Sequence, residues 1–522
     1  MRVRLLPEPV SPSGVASGGP ETGDQRSSGS SRRGWPWEVP LGVALLALGC
    51  RLIPVLSGAG LAGRDGYDPY VYYAAAVAVS TGHVPYRGFL LLHPPGVLVV
   101  LQPFVILGAL WGDPMGMAVA RLGFMLIGVA SCLVVYRILV RSSGRIAALV
   151  GSVMYAVWGP AVYSERTVRL EAIATLLVLV GLLLVQRTGR SERGRVWAPA
   201  WAGALFALSA VVKIWGVVPL AVLAVWLLVV WGWRAAARCT LGAALVFVVV
   251  FGPLSLVAPQ WFGMVVVDQL GRNRSTVSQG FRIAQMVGLP SLSGGAVTVF
   301  VVGVAVAVIG AALIVALRAP AGRLAAVLTL AMFATLLAGP SWFAHYPAFV
   351  AGPLCVVMGT AAGWAVSRLP TGRLRRVALP LVVGLLVGAG IVVLPHGGER
   401  FNGPKVAGIL AARPGCITTD TVATLVLSNT LRRNLSEGCQ VVVDLTGYGY
   451  EPSSNRSGPT RRQDPAFQKF AMTYLGSGTS SIVIRLVPDG LTKSNRATVE
   501  SWPIIGQAGD VLVRQPVPGN AS

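Results

Sequence analysis

Asp65-Gly66-Tyr67-Asp68-Pro69-Tyr70-Val71-Tyr72-Tyr73 stands just behind the first long apolar run of the chain, and Gly82-His83-Val84-Pro85-Tyr86 and His93-Pro94-Pro95-Gly96 follow it. Carboxylates beside lipid lose solvation and are costly, so two of them here ask for a chemical task. On either side the chain is apolar: 54% of its 522 residues are hydrophobic and only 12% are charged. Runs of roughly 18 to 22 apolar residues recur, the length a helix needs to cross a bilayer's hydrocarbon. This predicts an all-α polytopic membrane protein with about eleven transmembrane helices. The spans are read near 38–56, 116–140, 145–161, 168–186, 197–212, 215–232, 238–258, 295–317, 322–338, 344–366 and 375–394.

A net charge of +23 would point a soluble protein toward nucleic acid, but here the charge is sorted by loop. Arg137, Arg141 and Arg145 follow the second expected span, Arg187, Arg190, Arg193 and Arg195 the fourth, and Arg234 and Arg238 the sixth. Arg318 and Arg323 follow the eighth, and Arg368, Arg373, Arg375 and Arg376 the tenth. Every alternate loop is basic, which by the positive-inside rule makes those loops and the amino terminus cytoplasmic and argues against a nucleic-acid partner. The opposite, extracytoplasmic side then receives Asp65, Asp68, Asp113, Glu165, Glu171 and Asp268, and Lys213, which has no second lysine before Lys405.

Three regions follow. Residues 1–37, rich in Ser, Gly, Pro and Arg, read as a disordered cytoplasmic tail. Residues 38–396 read as the transmembrane domain, with its first outer loop at 57–115. Residues 397–522 read as a small extracytoplasmic α/β domain, in which Gln440-Val441-Val442-Val443 and Ser481-Ile482-Val483-Ile484 are expected strands. Cys416 and Cys439 are its only cysteines, and an oxidising compartment permits a disulfide between them. Cys50, Cys132, Cys239 and Cys355 fall within spans and read as small packing residues.

The first outer loop is itself apolar. Tyr70–Val79 and Val97–Leu110 are too short to cross a membrane and predict helices lying along its interface. On such a helix Asp68 and Tyr72 share a face, and with Pro69 in the first turn Asp68 reads as an N-cap. These elements also resemble the first outer loop of the GT-C superfamily of membrane glycosyltransferases, which includes the protein O-mannosyltransferases, the aminoarabinose transferase of lipid A and the mycobacterial mannosyl- and arabinosyltransferases. The resemblance is carried by Asp68 with Tyr72, Ala74-Ala75-Ala76, Gly82 to Tyr86 and His93-Pro94-Pro95. Asp268-Gln269-Leu270-Gly271-Arg272 and His345-Tyr346 support it farther along.

The resemblance implies transfer of a sugar from a polyprenyl-phosphate carrier to a hydroxyl acceptor of the cell envelope, whether glycan, lipid or protein, on the outer side of the bilayer. The acceptor hydroxyl needs a base, for which Asp68 is the candidate, with Asp65 a possible second carboxylate. The departing phosphate needs cations or fixed donors, and Lys213, His345, Arg272, Arg274 and Arg169 are the candidates. Tyr72, His93, Glu165, Glu171, Asp268 and Tyr346 complete the set. Bland readings stand beside these: Lys213 as a lysine snorkelling from a helix end, Arg272 and Arg274 as solvated loop residues, His345 with Tyr346 as an interfacial cap, and Glu165, Arg169 and Glu171 as a cluster pairing across one helical turn. Many relatives carry an acid where this chain has Pro69, and some where it has Gly88, which leaves a divalent cation an open alternative.

Gly58-Ala59-Gly60-Leu61-Ala62-Gly63 fits a nucleotide-loop pattern but follows a membrane helix without a βαβ unit, and no zinc-ligand spacing occurs. An arginine-rich, lysine-poor composition fits a bacterial source. The rival readings are a transporter or lipid flippase, which would hold its charges near the membrane midplane, and a membrane-anchored scaffold that binds envelope polymer.

Overall fold

The computed structural model describes residues 37–187, 192–272, 277–289, 295–370, 372–392, 397–450, 461–488 and 490–517. All but the last residue of the expected tail lies outside these. The membrane part runs α1 (Glu38–Ser57), α2 (Asp68–Ser80), α3 (Gly96–Trp111), α4 (Asp113–Ser142), α5 (Arg145–Val157), α6 (Gly159–Arg166), α7 (Leu170–Arg187), α8 (Glu192–Val212), α9 (Val217–Trp231) and α10 (Trp233–Val257). It continues with α11 (Asp268–Gly271), α12 (Gln279–Met286), α13 (Ala296–Arg318), α14 (Arg323–Ala338), α15 (Ala351–Arg368) and α16 (Arg373–Val392).

Among the described residues five helical segments are long and apolar enough to cross a bilayer: α1, α4, Ile214–Trp231, α10 and α13. The pair α5 and α6 adds a sixth if counted as one span bent by 56°. The sequence reads 145–161 as a single span, but Trp158 stands in extended conformation and Pro160 opens a new helix, so the run breaks. Shorter apolar helices lie alongside, including α3, α14 and most of α7, α8 and α16. Small residues bring neighbours together: Gly203 of α8 lies against the Cys239 backbone, Gly242 of α10 against that of Ala200, and Gly151 of α5 against that of Cys355. Such contacts suit association in lipid, where backbone approach replaces the hydrophobic drive.

α2 and α3 fill the stretch between α1 and α4, and α2 is buried from Pro69 to Ala78. The chain returns to this loop after the last apolar helix. Ala59 N–H donates to the Gly397 carbonyl at 2.9 Å, and Arg64 and Glu399 exchange backbone hydrogen bonds of 2.8 and 2.7 Å. Beyond them come α17 (Gly403–Ala411), β1 (Ile417–Thr419), α18 (Ala423–Leu427), α19 (Leu431–Ser436), α20 (Pro465–Gly476), β2 (Ser480–Ile482), α21 (Lys493–Ser501), β3 (Ile504–Ala508) and β4 (Val511–Arg514). The strands form one sheet in the order β1-β2-β4-β3, with β1 and β2 parallel and the other pairs antiparallel. A disulfide joins Cys416 to Cys439.

Gln440–Val443, an expected strand, is none. Val443 packs into one apolar core and Val442 into another, so the segment bridges two cores and finds no strand partner. The larger core is continuous from α2, α3 and α4 to the carboxyl-terminal sheet, including Tyr73, Leu101, Phe124, Val426, Ile482 and Val513. Polar ties reinforce it: Asp113 at the head of α4 is buried and pairs with Arg432 at 3.0 Å, and its backbone N–H donates to Asn429 Oδ1 at 2.9 Å.

Candidate active site

α2 starts at Asp68, with Tyr67 in the cap position and Pro69 in the first turn. Contrary to the N-cap reading, the Asp68 side chain caps nothing; its Oδ2 pairs with Arg169 Nη1. Gly66 takes φ +77°, a backbone shape that favours glycine, and it lies close against the Arg169 guanidinium, with a Cβ there 2.7 Å from Nη2. Arg169 sits at the corner between α6 and α7, where Val168 is held at φ +58°, a rare conformation for a β-branched residue. That corner overturns the expected pairing among Glu165, Arg169 and Glu171. Glu165 instead turns to Arg51 Nε at 2.6 Å and accepts from the Tyr155 hydroxyl at 2.7 Å, sealed between helices. Glu171 turns to Lys213 Nζ at 3.0 Å.

Lys213 does not snorkel. It is buried in the break between α8 and α9, 4.5 Å from the Trp215 ring centroid and 5.0 Å from that of Tyr346, a cation–π setting. Tyr346 opens a short turn before α15, and the preceding His345 reaches inward, its Nε2 4.0 Å from Asp68 Oδ2 and 3.8 Å from Glu171 Oε1. Tyr72 lies one turn along α2 from Asp68, its hydroxyl 3.3 Å from His93 Nε2. Thus Asp68, Arg169, Glu171, Lys213, His345, Tyr346, Tyr72 and His93 form one connected group.

Burial, reinforced by the charges of Lys213, Arg272 and Arg169, holds the His93 imidazole well below its usual range. Burial, with Arg169 and Lys213, does the same to His345. Both rings are neutral at neutral pH, so of the two roles open to it, cation or fixed donor, His345 can fill that of a hydrogen-bond donor. Burial and the charges of Asp68 and Glu171 push the Tyr72 phenol well up, keeping its proton. Arg272 is buried and close enough to act on both imidazoles. Asp268 opens α11 partly exposed, and Gln269 donates to the Leu92 carbonyl. Arg274 lies outside the described residues.

Sequence reading missed Asp444. Its Oδ1 accepts from the Tyr67 hydroxyl at 2.9 Å, Thr446 Oγ1 at 3.1 Å and Gly447 N–H at 2.8 Å, and burial, with the Asp68 charge contributing, raises its carboxyl above the ordinary range. The stretch Asp444-Leu445-Thr446-Gly447 reads as an ordinary turn, so nothing local separates Asp444 from a loop residue. Asp65, the proposed second carboxylate, lies 3.6 Å from Arg166 instead.

This geometry can be set beside known proteins. The profile of Glycosyltransferase family 87 matches residues 91–340, a segment that holds His93, Arg169, Glu171, Lys213 and Arg272 and stops short of Asp68 and His345 on either side. ArnT from Cupriavidus metallidurans, in a crystal structure bound to undecaprenyl phosphate, superposes with a TM-score of 0.59 at 15% identity, over 93% of this chain and 98% of that one. The archaeal oligosaccharyltransferase AglB from Archaeoglobus fulgidus, in complex with an inhibitory peptide and a dolichol-phosphate, gives 0.54 at 11% identity, over 85% of this chain and 69% of that one. The fold is that of a GT-C membrane glycosyltransferase. Comparison with the sequences of curated proteins gives no match.

Within this GT-C fold a divalent cation does not fit the residues around Asp68. Asp68 is matched to Arg169, Asp65 to Arg166 and Glu171 to Lys213, and among the described residues no three His, Cys, Asp or Glu side chains converge as a metal site. What the loop before α2 and the start of α2 offer is one partly open carboxylate, 32% exposed, in a nest of buried cations and neutral imidazoles.

Proposed function

We propose that this protein is a membrane glycosyltransferase that moves a sugar from a polyprenyl-phosphate carrier to a hydroxyl acceptor of the cell envelope, on the extracytoplasmic side of the bilayer. The observation that carries the reading is the partly exposed Asp68 carboxylate, held against Arg169 and His345 beside the Lys213–Glu171 pair. The family 87 match and the carrier phosphates bound by ArnT and AglB support it.

In the proposed reaction the acceptor oxygen bonds to the anomeric carbon and its proton passes to Asp68. The bond from that carbon to the carrier phosphate breaks, and the phosphate leaves with the bonding pair. Developing charge on the phosphate is met by Arg169, Lys213 and Arg272 and by a hydrogen bond from neutral His345. Because Arg169 holds Asp68 in the free protein, a phosphate that draws the guanidinium away also frees the carboxylate to act as base. The carrier's tail lies in lipid-facing apolar surface, where each buried methylene adds about 0.8 kcal/mol.

The test is purified protein in lipid nanodiscs with a panel of polyprenyl-phospho-sugars, mannosyl and arabinosyl carriers first, together with hydroxyl acceptors from envelope glycan, lipid and peptide, following donor loss against acceptor-free controls. Asp68→Asn lowers turnover by about 10²–10⁴-fold while the protein stays folded. Near-normal turnover in that variant removes Asp68 as base, and no donor loss with wild type removes the function.

A further inference from the structure

Beside the Asp68 group, and separate from it, lies a hollow of about 330 Å³ whose polar walls are Arg64, Asp65, Tyr67, Glu399, Thr421 and Arg485. Four stretches distant in sequence build it: the loop before α2, the segment that follows α16, and two turns of the carboxyl-terminal region, at Thr421 and at Arg485. Each is fixed. Arg64 and Glu399 are tied through backbone and side chains. Asp420 gathers the backbone N–H groups of Ile484, Arg485 and Leu486 at 3.0, 2.6 and 2.6 Å, which sets the turn carrying Arg485. The Arg485 guanidinium lies 4.3 Å over the Tyr67 ring, whose hydroxyl donates to Asp444. Walls held in this way are preorganised for a ligand.

The chemistry of the walls selects the ligand. Arg64 and Arg485 face Asp65 and Glu399 across it beside the Thr421 hydroxyl, and behind them Arg166 lies 3.6 Å from Asp65 and Asp510 3.7 Å from Arg64, so the surroundings still balance in charge: an anion would meet carboxylates and a cation would meet guanidiniums. Neighbouring hydroxyls on a sugar ring satisfy both sets at once, donating to carboxylates and accepting from guanidiniums. Position gives the ligand its purpose. Gly66 is exposed, lines the hollow and lies against Arg169, the partner of Asp68.

We propose that this hollow seats the neutral sugar end of a glycan acceptor and delivers its hydroxyl past Gly66 to Asp68. The inference rests on the glycosyl-transfer reading and supplies its acceptor class. The seated hydroxyl provides the oxygen of the new glycosidic bond, its proton goes to Asp68, and the carrier phosphate takes the electron pair of the broken bond.

The experiment uses the full chain in nanodiscs and saturation-transfer NMR with methyl α-mannopyranoside, methyl α-arabinofuranoside and methyl β-glucopyranoside, with inorganic phosphate as competitor. Arg485→Ala and Glu399→Gln alter exposed side chains and leave the cores intact. At least one glycoside binds wild type and Asp68→Asn alike, each pocket variant binds it about tenfold more weakly, and loss of donor to water without acceptor is unchanged. Glycoside binding unaffected by the pocket variants, or displaced by phosphate, overturns the site. Donor consumed with no glycoside bound overturns this inference alone, whereas glycoside bound with no donor consumed overturns the transfer reading and the acceptor assignment with it.

Discussion

Glu165 and Arg169 stand four residues apart, yet each takes its partner from a different world. Glu165 is clamped by Arg51 inside the helix bundle, with side chains 1% and 0% exposed, and Tyr155 completes the seal. Arg169 turns at the Val168 corner to hold Asp68, whose carboxylate is 32% exposed and adjoins His345 and the Lys213–Glu171 pair. Both are arginine–carboxylate pairs. The sealed pair cannot trade partners without leaving a bare charge in an apolar interior, so it acts as structure. The open pair can hand its arginine to an incoming anion, so it can take part in chemistry.

Removing the carboxylates separates the two most strongly. Asp68→Asn costs about 10²–10⁴-fold in turnover, while Glu165→Gln leaves the turnover of the folded fraction near wild type; equal losses in donor-consumption assays would erase the contrast. Stability should show the reverse. Arg51→Met or Glu165→Ala alone costs about 3–5 kcal/mol by stranding a buried charge, and Arg51→Met with Glu165→Met recovers most of it, whereas Asp68→Asn leaves Arg169 an amide oxygen to donate to at a site partly open to water and lowers the melting temperature in nanodiscs less than either single variant. Arg169→Lys keeps the charge and loses the fork, so the donor KM rises about tenfold with the melting temperature nearly unchanged.

The smallest effect is a pH dependence. His93 and His345 titrate well below their unfolded value of about 6.5, so above that pH both states are neutral and stability is at its plateau. As pH falls below it the unfolded chain binds protons first and the melting temperature drops; His93→Gln and His345→Gln each flatten that slope. A slope unchanged by either variant would place the titration elsewhere.

Much of this arrangement was legible because it is local. The apolar runs at 70–79 and 97–110 declare α2 and α3, and Asp68 stands out as an acid beside a membrane helix. The isolation of Lys213 among apolar residues marked it in the same way. Partner choice was not legible, since it is decided by a backbone corner and by long-range approach. Helical spacing pairs Glu165 with Arg169, and only the left-handed Val168 shows that the helix ends between them. Asp444 meets Tyr67 across 377 residues with no motif to announce it. The segment Gln440–Val443 has strand-like residues, but two cores claim its valines before any strand can.

The apolar core that runs unbroken from α2, α3 and α4 into the carboxyl-terminal sheet has a practical consequence for anyone recombining such chains. Cutting near residue 397 would strip packing from the helix that presents Asp68, so the soluble-looking end is no detachable accessory. A chimera meant to exchange acceptor preference must carry the first loop and the carboxyl-terminal region together as one cassette, and grafts of either half alone should yield misassembled protein.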